Sequence, residues 1–446
     1  MNCHRHQPGN DPAKGLYLAR YGRGFSLIEL MIAMLIGSLL LVGLVSLFGT
    51  TSSVNRLENG LARAQENGRF ALSMITSDIR MATGTRSVRK GSGLVGQAPR
   101  DISIRSYVDL SAGPRAQHGL PRVGTNDFYF IPRSVMFRGY ECIADACTPT
   151  QVPETGAIGG DQYGTIPALG TSAGSRVRGA DVLTLRYVRG EGVRVGAVTS
   201  TTITLADPAD RISIGPSGLA VIDDYQGTNI ISVQPGTNLT SLTLQGNISA
   251  APDVDVAGDA RVSDFDSSLI TVTYYLQLDE DPNRPERLIS TLIRRENGQA
   301  QEIAQGIERL DFIYQVEDRN RNLRWLNAQE MTVATAINWP ANEEDANTPA
   351  LRLFDAPIAQ WRAVQAVEVH LLANTVDDAA SAQEPFAYSF LANGQPNVGN
   401  IVQMACDPAY GACPGGSITE LPSGLSPGRM ARREFRATVA VRNNSG

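Results

Sequence analysis

Four cysteines in two closely spaced pairs are the residues with the clearest chemical potential. Four residues separate Cys142 from Cys147, six separate Cys406 from Cys413, and Cys3 lies apart near the N-terminus. An even number of cysteines in an exported domain favours disulfides, and short separations favour closure within each pair. Four thiolates could instead bind one zinc ion, if the two pairs met in space and stayed reduced. We therefore expect two local disulfides, with zinc as the less favoured alternative.

Histidine-based catalysis has little support in the sequence. Of four histidines, His4 and His6 lie near the N-terminus, and 252 residues separate His118 from His370. The chain has no H-E-x-x-H or Walker A motif, and its G-x-S-x-G patterns at 170–174 and 424–428 and its G-x-G-x-x-G pattern at 91–96 are not followed by a predicted helix, which those motifs require. We expect neither enzymatic activity nor a cofactor.

Two acidic clusters, Asp279–Asn283 and Glu317–Asn322, carry oxygen ligands of the kind that calcium prefers. Neither has the central glycine and the closing glutamate of an EF-hand loop, and arginines interleave the second cluster. Acidic and amide residues are also common in the turns of β-hairpins. The sequence therefore favours hairpin turns over metal sites at both places.

The most informative charge is Glu29, which interrupts an apolar run of 24 residues from Phe25 to Phe48. A helix of this length spans roughly 36 Å, enough to cross a ~30 Å hydrocarbon layer. A carboxylate inside such a helix costs about 2.5–3.5 kcal/mol on insertion. Glu29 therefore either reaches water near the interface or has a functional partner.

The residues before the apolar run are mostly basic, with Arg5, Lys14, Arg20 and Arg23 against Asp11. This charge asymmetry predicts a single-pass protein with residues 1–24 in the cytoplasm and the chain beyond about residue 50 outside. The run exceeds the ~7–15 residues of a secretory signal peptide and lacks a small-residue cleavage site after it.

The sequence around Glu29 resembles the class III signal of type IV prepilins. The matching residues are Gly24-Phe25-Ser26-Leu27-Ile28-Glu29-Leu30, preceded by the basic leader. The resemblance implies that prepilin peptidase cleaves after Gly24 and N-methylates Phe25. It also implies that Glu29 meets the N-terminal amine of a neighbouring subunit, which offsets the burial of both charges.

The helix is expected to continue beyond the membrane as an amphipathic segment. Apolar residues recur there at spacings of three and four, which predicts one buried stripe, whereas charged residues including Asp78 lie mostly off it. The stripe contains Val54, Leu57, Leu61, Ala64, Gly68, Leu72, Ile75 and Ile79. The periodicity ends near Thr83–Gly84, where a glycine cap would terminate the helix.

Several segments are similar to the PilW family of minor pilins. The similar segments are 65–72, 78–82, 303–310, 361–369 and 433–443. One difference follows residue 82, where this chain has Thr83-Gly84-Thr85-Arg86 and many relatives have Gly-Tyr and a cysteine. That difference puts in doubt any disulfide that fixes this loop in the family.

From about residue 86 onward the pattern predicts β-structure, because β-branched and aromatic residues alternate between turn signals. The clearest predicted strands are 127–131, 182–188, 268–278, 287–294, 307–316 and 364–372. Shorter strands within 193–205 and 220–244 and a small-residue loop at 245–261 suggest an elaboration inserted at 191–261.

Together these patterns predict an α+β fold with a long N-terminal helix packed on a large antiparallel β-rich head, and the resemblance implies that this fold is type IV pilin-like. The expected organisation is a leader at 1–24, a transmembrane half-helix at 25–50, an amphipathic half at 51–84 and a head at 85–446. The composition, with 42% hydrophobic and 19% charged residues, is that of a folded protein.

The charge balance argues against direct binding of nucleic acid. The formal net charge is −6, and removing a leader of net charge +3 makes it −9, since −6 − 3 = −9. An acidic head lacks the basic patch that would neutralise phosphates.

The resemblance implies a minor pilin of a type IV pilus in a Gram-negative bacterium, acting in pilus priming and assembly and so in twitching motility, adhesion or DNA uptake. Its expected partners are other minor pilins, the major pilin, prepilin peptidase and the inner-membrane assembly platform. It would reside in the inner membrane with a periplasmic head, and later in the pilus or at its tip. The alternatives are a minor pseudopilin of type II secretion and a membrane-tethered periplasmic adhesin or enzyme.

Overall fold

The computed structural model describes a long helix and most of a β-rich region. The described residues are 26–82, 104–108, 129–131, 137–143, 146–148, 166–224, 228–245, 254, 256–318, 320–333, 337, 361, 363–378, 387–388, 402–404, 418–419, 425 and 428–441. Helix α1 spans Leu27–Met81. It ends two residues before the predicted Thr83–Gly84 cap, which lies outside the described residues.

The chain divides into two compact units, residues 1–55 and 56–446. The described part of the first unit is the N-terminal half of α1, whose large apolar side chains are exposed. The helix is long and apolar enough to cross a membrane by length and composition. The prediction of a long apolar helix followed by an antiparallel β-rich region is confirmed.

The second unit contains the C-terminal half of α1 and the strands. The first fifteen strands are β1 (Ile104–Ser106), β2 (Tyr129–Ile131), β3 (Phe137–Ile143), β4 (Ala146–Thr148), β5 (Leu169–Gly170), β6 (Arg176–Val177), β7 (Val182–Val188), β8 (Val193–Val198), β9 (Thr202–Leu205), β10 (Ile212–Ile214), β11 (Leu219–Asp223), β12 (Thr228–Ser232), β13 (Gly236–Leu239), β14 (Ser241–Thr243) and β15 (Arg261–Asp264). A 3-10 turn at Val256–Gly258 precedes β15, and the short helix α2 (Phe265–Ser268) follows it.

The later strands are longer and belong to the main body of the head. They are β16 (Leu269–Asp281), β17 (Arg284–Glu296), β18 (Gln299–Gln305), β19 (Ile307–Glu317), β20 (Leu323–Leu326), β21 (Val364–Asn374), β22 (Ala387–Tyr388), β23 (Val402–Met404), β24 (Ile418–Thr419) and β25 (Arg432–Ala440). Helix α3 (Ala328–Val333) follows β20. Strand β7 coincides with the predicted strand at 182–188, and β17, β19 and β21 contain the predictions at 287–294, 307–316 and 364–372. Strand β16 contains all of the prediction at 268–278 except Ser268, which ends the short helix α2.

Two antiparallel sheets form the main body. The central sheet has the order β18-β17-β16-β7-β3-β4, with β5 and β6 attached beside β16, and the other sheet has the order β20-β19-β21-β25. Asn297 and Gly298, both at positive φ, connect β17 to β18, as the type I′ turns of tight hairpins require. The chain passes from one sheet to the other at Gly306, which also has positive φ.

One hydrophobic core lies between α1 and these two sheets. Ala71, Ile75 and Ile79 of the helix pack with side chains from both sheets, such as Leu185 and Phe312. A fully buried β-branched or aromatic side chain contributes about 1.5–3 kcal/mol, so this contact fixes the C-terminal half of the helix on the head.

Residues 193–264 form much of a separate sheet with its own core, in the region predicted as an elaboration. Its order is β14-β9-β8-β15-β11-β12-β1-β2, so it also includes strands from residues 104–131. Ile203, Ile222 and Val262 are among the buried residues of this second core. The boundaries predicted for the leader and the two helix halves stay predictions.

Candidate assembly site

Glu29 lies in the first turn of α1, where it caps its own helix. The backbone N–H of Ser26 donates to Glu29 Oε2 over 3.1 Å, and the N–H of Ile28 donates to Ser26 Oγ over 3.3 Å. Ser26 thus caps the helix through the N–H of its second residue, Glu29 reaches back to the Ser26 N–H as in a capping box, and a negative charge is favourable at this end of a helix. Gly24 and Phe25 lie outside the described residues, so cleavage and methylation stay predictions.

The C-terminal half of α1 approaches the last strand closely at Gly68. A Cβ atom added there would lie 2.3 Å from Cε2 of Phe435 in β25. Only glycine lets the ring of Phe435 rest on the helix backbone at this point. The side-chain amide of Asn67 donates to the carbonyl of Gln305 over 3.1 Å, which ties the same turn to the end of β18.

Near its C-terminal end, α1 is joined to the central sheet through Asp78. The Tyr274 hydroxyl donates to Asp78 Oδ2 over 2.5 Å and the Tyr187 hydroxyl donates to Oδ1 over 3.1 Å. Arg294 Nε donates to Oδ2 over 2.7 Å. Both members of the ion pair are buried, so the carboxylate is held by three strands of one sheet.

The prediction that Asp78 lies off the buried stripe is wrong. Asp78 falls three residues after Ile75 and one before Ile79, and all three are buried. The spacing was a signal that could have identified it, because residues i and i+3 share a helix face. What the pattern could not supply was the identity of its partners, which lie 109 to 216 residues away.

The ion pair extends toward the surface through Glu296 and Arg189. Arg294 also donates to Glu296, and Arg189 Nη1 lies 2.9 Å from Glu296 Oε1. Burial alone would lower the pKa of Arg294, but the hydrogen bonds to Asp78 and Glu296 raise it. Burial and the adjacent Asp78 charge raise the pKa of Tyr274, so its hydroxyl stays a donor. Arg294 therefore keeps its charge at physiological pH.

A disulfide joins Cys142 of β3 to Cys147 of β4, which are directly opposite in the ladder. The guanidinium of Arg176 lies beside it, with Nη1 3.6 Å from Sγ of Cys142 and 3.5 Å from Sγ of Cys147. Cys406 and Cys413 lie outside the described residues. Their pairing stays a prediction.

Asp181 connects the two sheets of the main body. Its Oδ1 accepts from the N–H of Cys142 and its Oδ2 from the N–H of Phe312, each over 3.0 Å. Burial and the nearby Glu141 and Asp311 charges raise the pKa of Asp181 well above its ordinary value. β3 and β19 belong to different sheets and do not pair with each other. The Asp181 carboxyl therefore accepts the hydrogen bonds of one backbone N–H group from each strand.

Glu141 lies next to this connection in an environment that disfavours its charge. Its Oε2 is buried and has no hydrogen-bond partner within the described part of the chain. Burial first, and then repulsion by Asp311, raise the pKa of Glu141 from 4.5 to about 8. Asp311 itself is paired with Arg309. Glu141 is therefore mostly protonated at neutral pH.

His370 joins β21 to β25. Nδ1 lies 3.0 Å from Oε1 of Glu434, and Nε2 lies 3.1 Å from Oε1 of Glu368. Burial lowers the pKa of His370, but the two carboxylates outweigh that effect and raise it. The ring thus lies between two acidic side chains on adjacent strands. His118 lies outside the described residues.

Both acidic clusters lie in hairpin turns, as predicted. Asp281 accepts from Arg287 and from the N–H of Asn283. Asp318 Oδ1 accepts from the N–H groups of Asn320 and Asn322. Among the described residues, no group of three or more His, Cys, Asp or Glu side chains is arranged to hold a metal ion.

Two comparisons with protein families bear on these features. Residues 20–45 match the prokaryotic N-terminal methylation motif, and residues 273–443 match the family described as type IV pilus-assembly protein W. No curated protein and no solved structure matches the chain. A methylation motif on an apolar helix, followed by a β-rich head, defines a pilin-like protein associated with the type IV pilus.

The more specific resemblance, to the PilW family, is confirmed by the second match. It begins within β16 and ends just after β25, so it includes all of the four-stranded sheet and leaves out the sheet built on residues 193–264. The PilW family is a structural component of the pilus. The apolar helix and the prepilin signal indicate anchoring in the membrane within the pilus system.

Proposed function

We propose that this protein is a minor pilin that takes part in priming and assembly of the type IV pilus. The observation that carries the proposal is the combination, in one chain, of a methylation motif at residues 20–45 and a PilW match at residues 273–443. The methylation motif is a feature of subunits that leave the membrane for a filament. The PilW match favours the pilus over type II secretion.

The processed chain would begin at Phe25 and would remain in the inner membrane with its head in the periplasm. There it would join other minor pilins and the major pilin on the inner-membrane assembly platform, and would enter the pilus, at its tip. The packing of α1 supports this role, because Gly68 and Asp78 couple the helix that enters a filament to the head that stays at its surface.

N-terminal sequencing of the membrane-extracted protein tests the proposal. We expect the mature chain to start at methylated Phe25, and Gly24→Trp to block processing, whereas Gly49→Trp leaves it unchanged. A retained leader, or cleavage elsewhere, contradicts the pilin assignment.

A deletion strain separates the pilus from type II secretion. We expect loss of surface pili and of twitching motility, restored by the wild-type gene and not by Gly24→Trp. Normal piliation combined with loss of exoprotein secretion would instead identify a pseudopilin.

A further inference from the structure

Strand β25 forms one edge of the four-stranded sheet. It pairs with β21 over its whole length, from Arg432 opposite Asn374 to Ala440 opposite Ala366, with no register shift. No other strand pairs with its far side in the part of the chain that the structure describes. Long, regular edges are templates for pairing with another chain. β25 has no proline and no bulge, and its protection against unselective pairing is its charged side chains, chiefly arginines.

The hydrogen bonds around β25 determine which of its backbone groups point outward. The N–H of Val441 donates to the carbonyl of Gln365, and the N–H of Thr375 to the carbonyl of Ala431. Alternate residues of an antiparallel strand direct their backbone groups to opposite sides. Arg436, Thr438 and Ala440 therefore point their N–H and C=O groups away from β21.

One face of β25 packs against the core and against α1. Val439 is buried in the main core, and Phe435 rests on Gly68 of α1. Arg436, Thr438 and Ala440 have exposed side chains. A partner would thus meet a preformed edge and would not have to order it, which favours affinity.

The exposed charge along this edge is positive. Arg433 and Arg436 are exposed, whereas the acidic Glu434 is bonded to His370. Arg436 lies 3.4 Å from Glu368, and its side chain remains 57% exposed. A second copy paired antiparallel would bring two sets of arginines together, and like charges near each other across strands are destabilising.

We propose that β25 binds an extended segment of another pilus subunit by strand addition, and that this segment carries carboxylates that pair with Arg436 and Arg433. The inference rests on the proposed function, since it names a partner within the pilus. Backbone hydrogen bonds to residues 436–440 supply the pairing, and the arginines select an acidic strand over a second copy.

Photo-crosslinking of the full-length protein in its native host tests the proposal. A photoreactive phenylalanine at Thr438 should crosslink to an acidic segment in the head of a different subunit that carries a prepilin signal. The same photoreactive phenylalanine in place of Thr204, an exposed threonine in the other large sheet, should give no crosslink to another subunit. Crosslinks only between copies of this chain, or none at position 438, overturn the proposal.

Two substitutions test the charge and the backbone separately. Arg436→Glu should reduce the crosslink at least about tenfold, as expected for losing one charge-assisted pair, whereas Arg194→Glu on the other sheet should not. With the photoreactive residue kept at position 438, Ala440→Pro removes an outward N–H and should abolish the crosslink without lowering the melting temperature. Ala437→Pro interrupts the β21 ladder and should lower the melting temperature. An undiminished crosslink in both Arg436→Glu and Ala440→Pro contradicts strand addition.

The strains used for crosslinking also distinguish failure of the inference about β25 from failure of the proposed function. If Phe25 is the mature N-terminus and the protein is present in sheared pili, but no heterologous crosslink forms at 438, only the inference about β25 is overturned. If the leader is retained, the pilin assignment itself fails.

Discussion

Asp78 and Arg294 form a buried ion pair across 216 residues of sequence, with Asp78 Oδ2 2.7 Å from Arg294 Nε. Tyr187 and Tyr274 occupy other lone pairs of the same carboxylate. The pair joins the C-terminal end of α1 to the centre of the main sheet. The C-terminal half of α1 is therefore held on the head by a satisfied polar contact as well as by apolar packing.

Asp78→Ala should lower the free energy of unfolding by about 3 kcal/mol, because Arg294 Nε and the hydroxyls of Tyr187 and Tyr274 lose their buried acceptor and only Glu296 remains to pair with the guanidinium. Urea unfolding of the full chain in detergent measures the change. Arg194→Ala, which removes an ion pair whose arginine is 62% exposed, is the matched control and should cost less than about 1 kcal/mol. Equal effects of the two variants would contradict the assigned role of Asp78.

Gly68→Ala should destabilise the head by about 1–3 kcal/mol, because the added methyl group would overlap the Phe435 ring. The higher helix propensity of alanine offsets roughly 1 kcal/mol of that cost. Phe435→Leu in the same chain should recover part of the loss, measured as a double-mutant cycle. Gly43→Ala has no neighbour within 4 Å and should not alter the unfolding of the head.

Glu141 should make stability fall as the pH rises. Its pKa is about 8 in the folded protein, so the folded state holds a proton that the unfolded state releases above pH ~4.5. The stability contributed by this proton is therefore full below pH ~4.5 and is lost progressively up to about 8, on the order of 5 kcal/mol in all. Glu141→Gln should reduce this dependence and stabilise the protein at pH 8. Parallel pH profiles of variant and wild type would refute the assignment.

Peptide mapping without reduction should find Cys142 linked to Cys147 and Cys406 linked to Cys413. Each bond closes a short loop, so Cys147→Ala should cost about 2 kcal/mol on the chain-entropy account. Cross-linked pairs, free thiols or bound zinc would each show that the local pairing is wrong.

Glu29→Ala should reduce incorporation into the minor-pilin complex and lower piliation. The head should unfold as in wild type, since distant sites contribute independently. Glu29→Gln separates two roles of this side chain, because glutamine can keep the capping hydrogen bond to Ser26 while it removes the charge. If glutamine assembles as poorly as alanine, the charge matters; if it assembles as wild type, helix capping suffices. Normal co-purification and piliation of Glu29→Ala would remove any assembly role.

The sequence by itself was sufficient for features that depend on local pattern. The apolar run, the Gly24–Leu30 signal and the 3.6-residue stripe predicted α1, and alternation between turn signals predicted strands such as β7. The sequence also predicted hairpin turns at the acidic clusters 279–283 and 317–322, because a hairpin is formed by two strands that follow each other along the chain. In each case the interacting residues lie close together in sequence.

Only the tertiary structure could decide the contacts between distant segments. In the sequence, Asp78 is one more charged helix residue, and only the fold brings Arg294, Tyr187 and Tyr274 to its carboxylate. Gly68 is a poor helix former, and only the fold places the ring of Phe435 on it. The role of Asp181 likewise depends on the N–H groups of β3 and β19 that it accepts from. A buried polar group is stable only when its partners are in place, and those partners are set by the order and register of the strands, which local pattern does not encode.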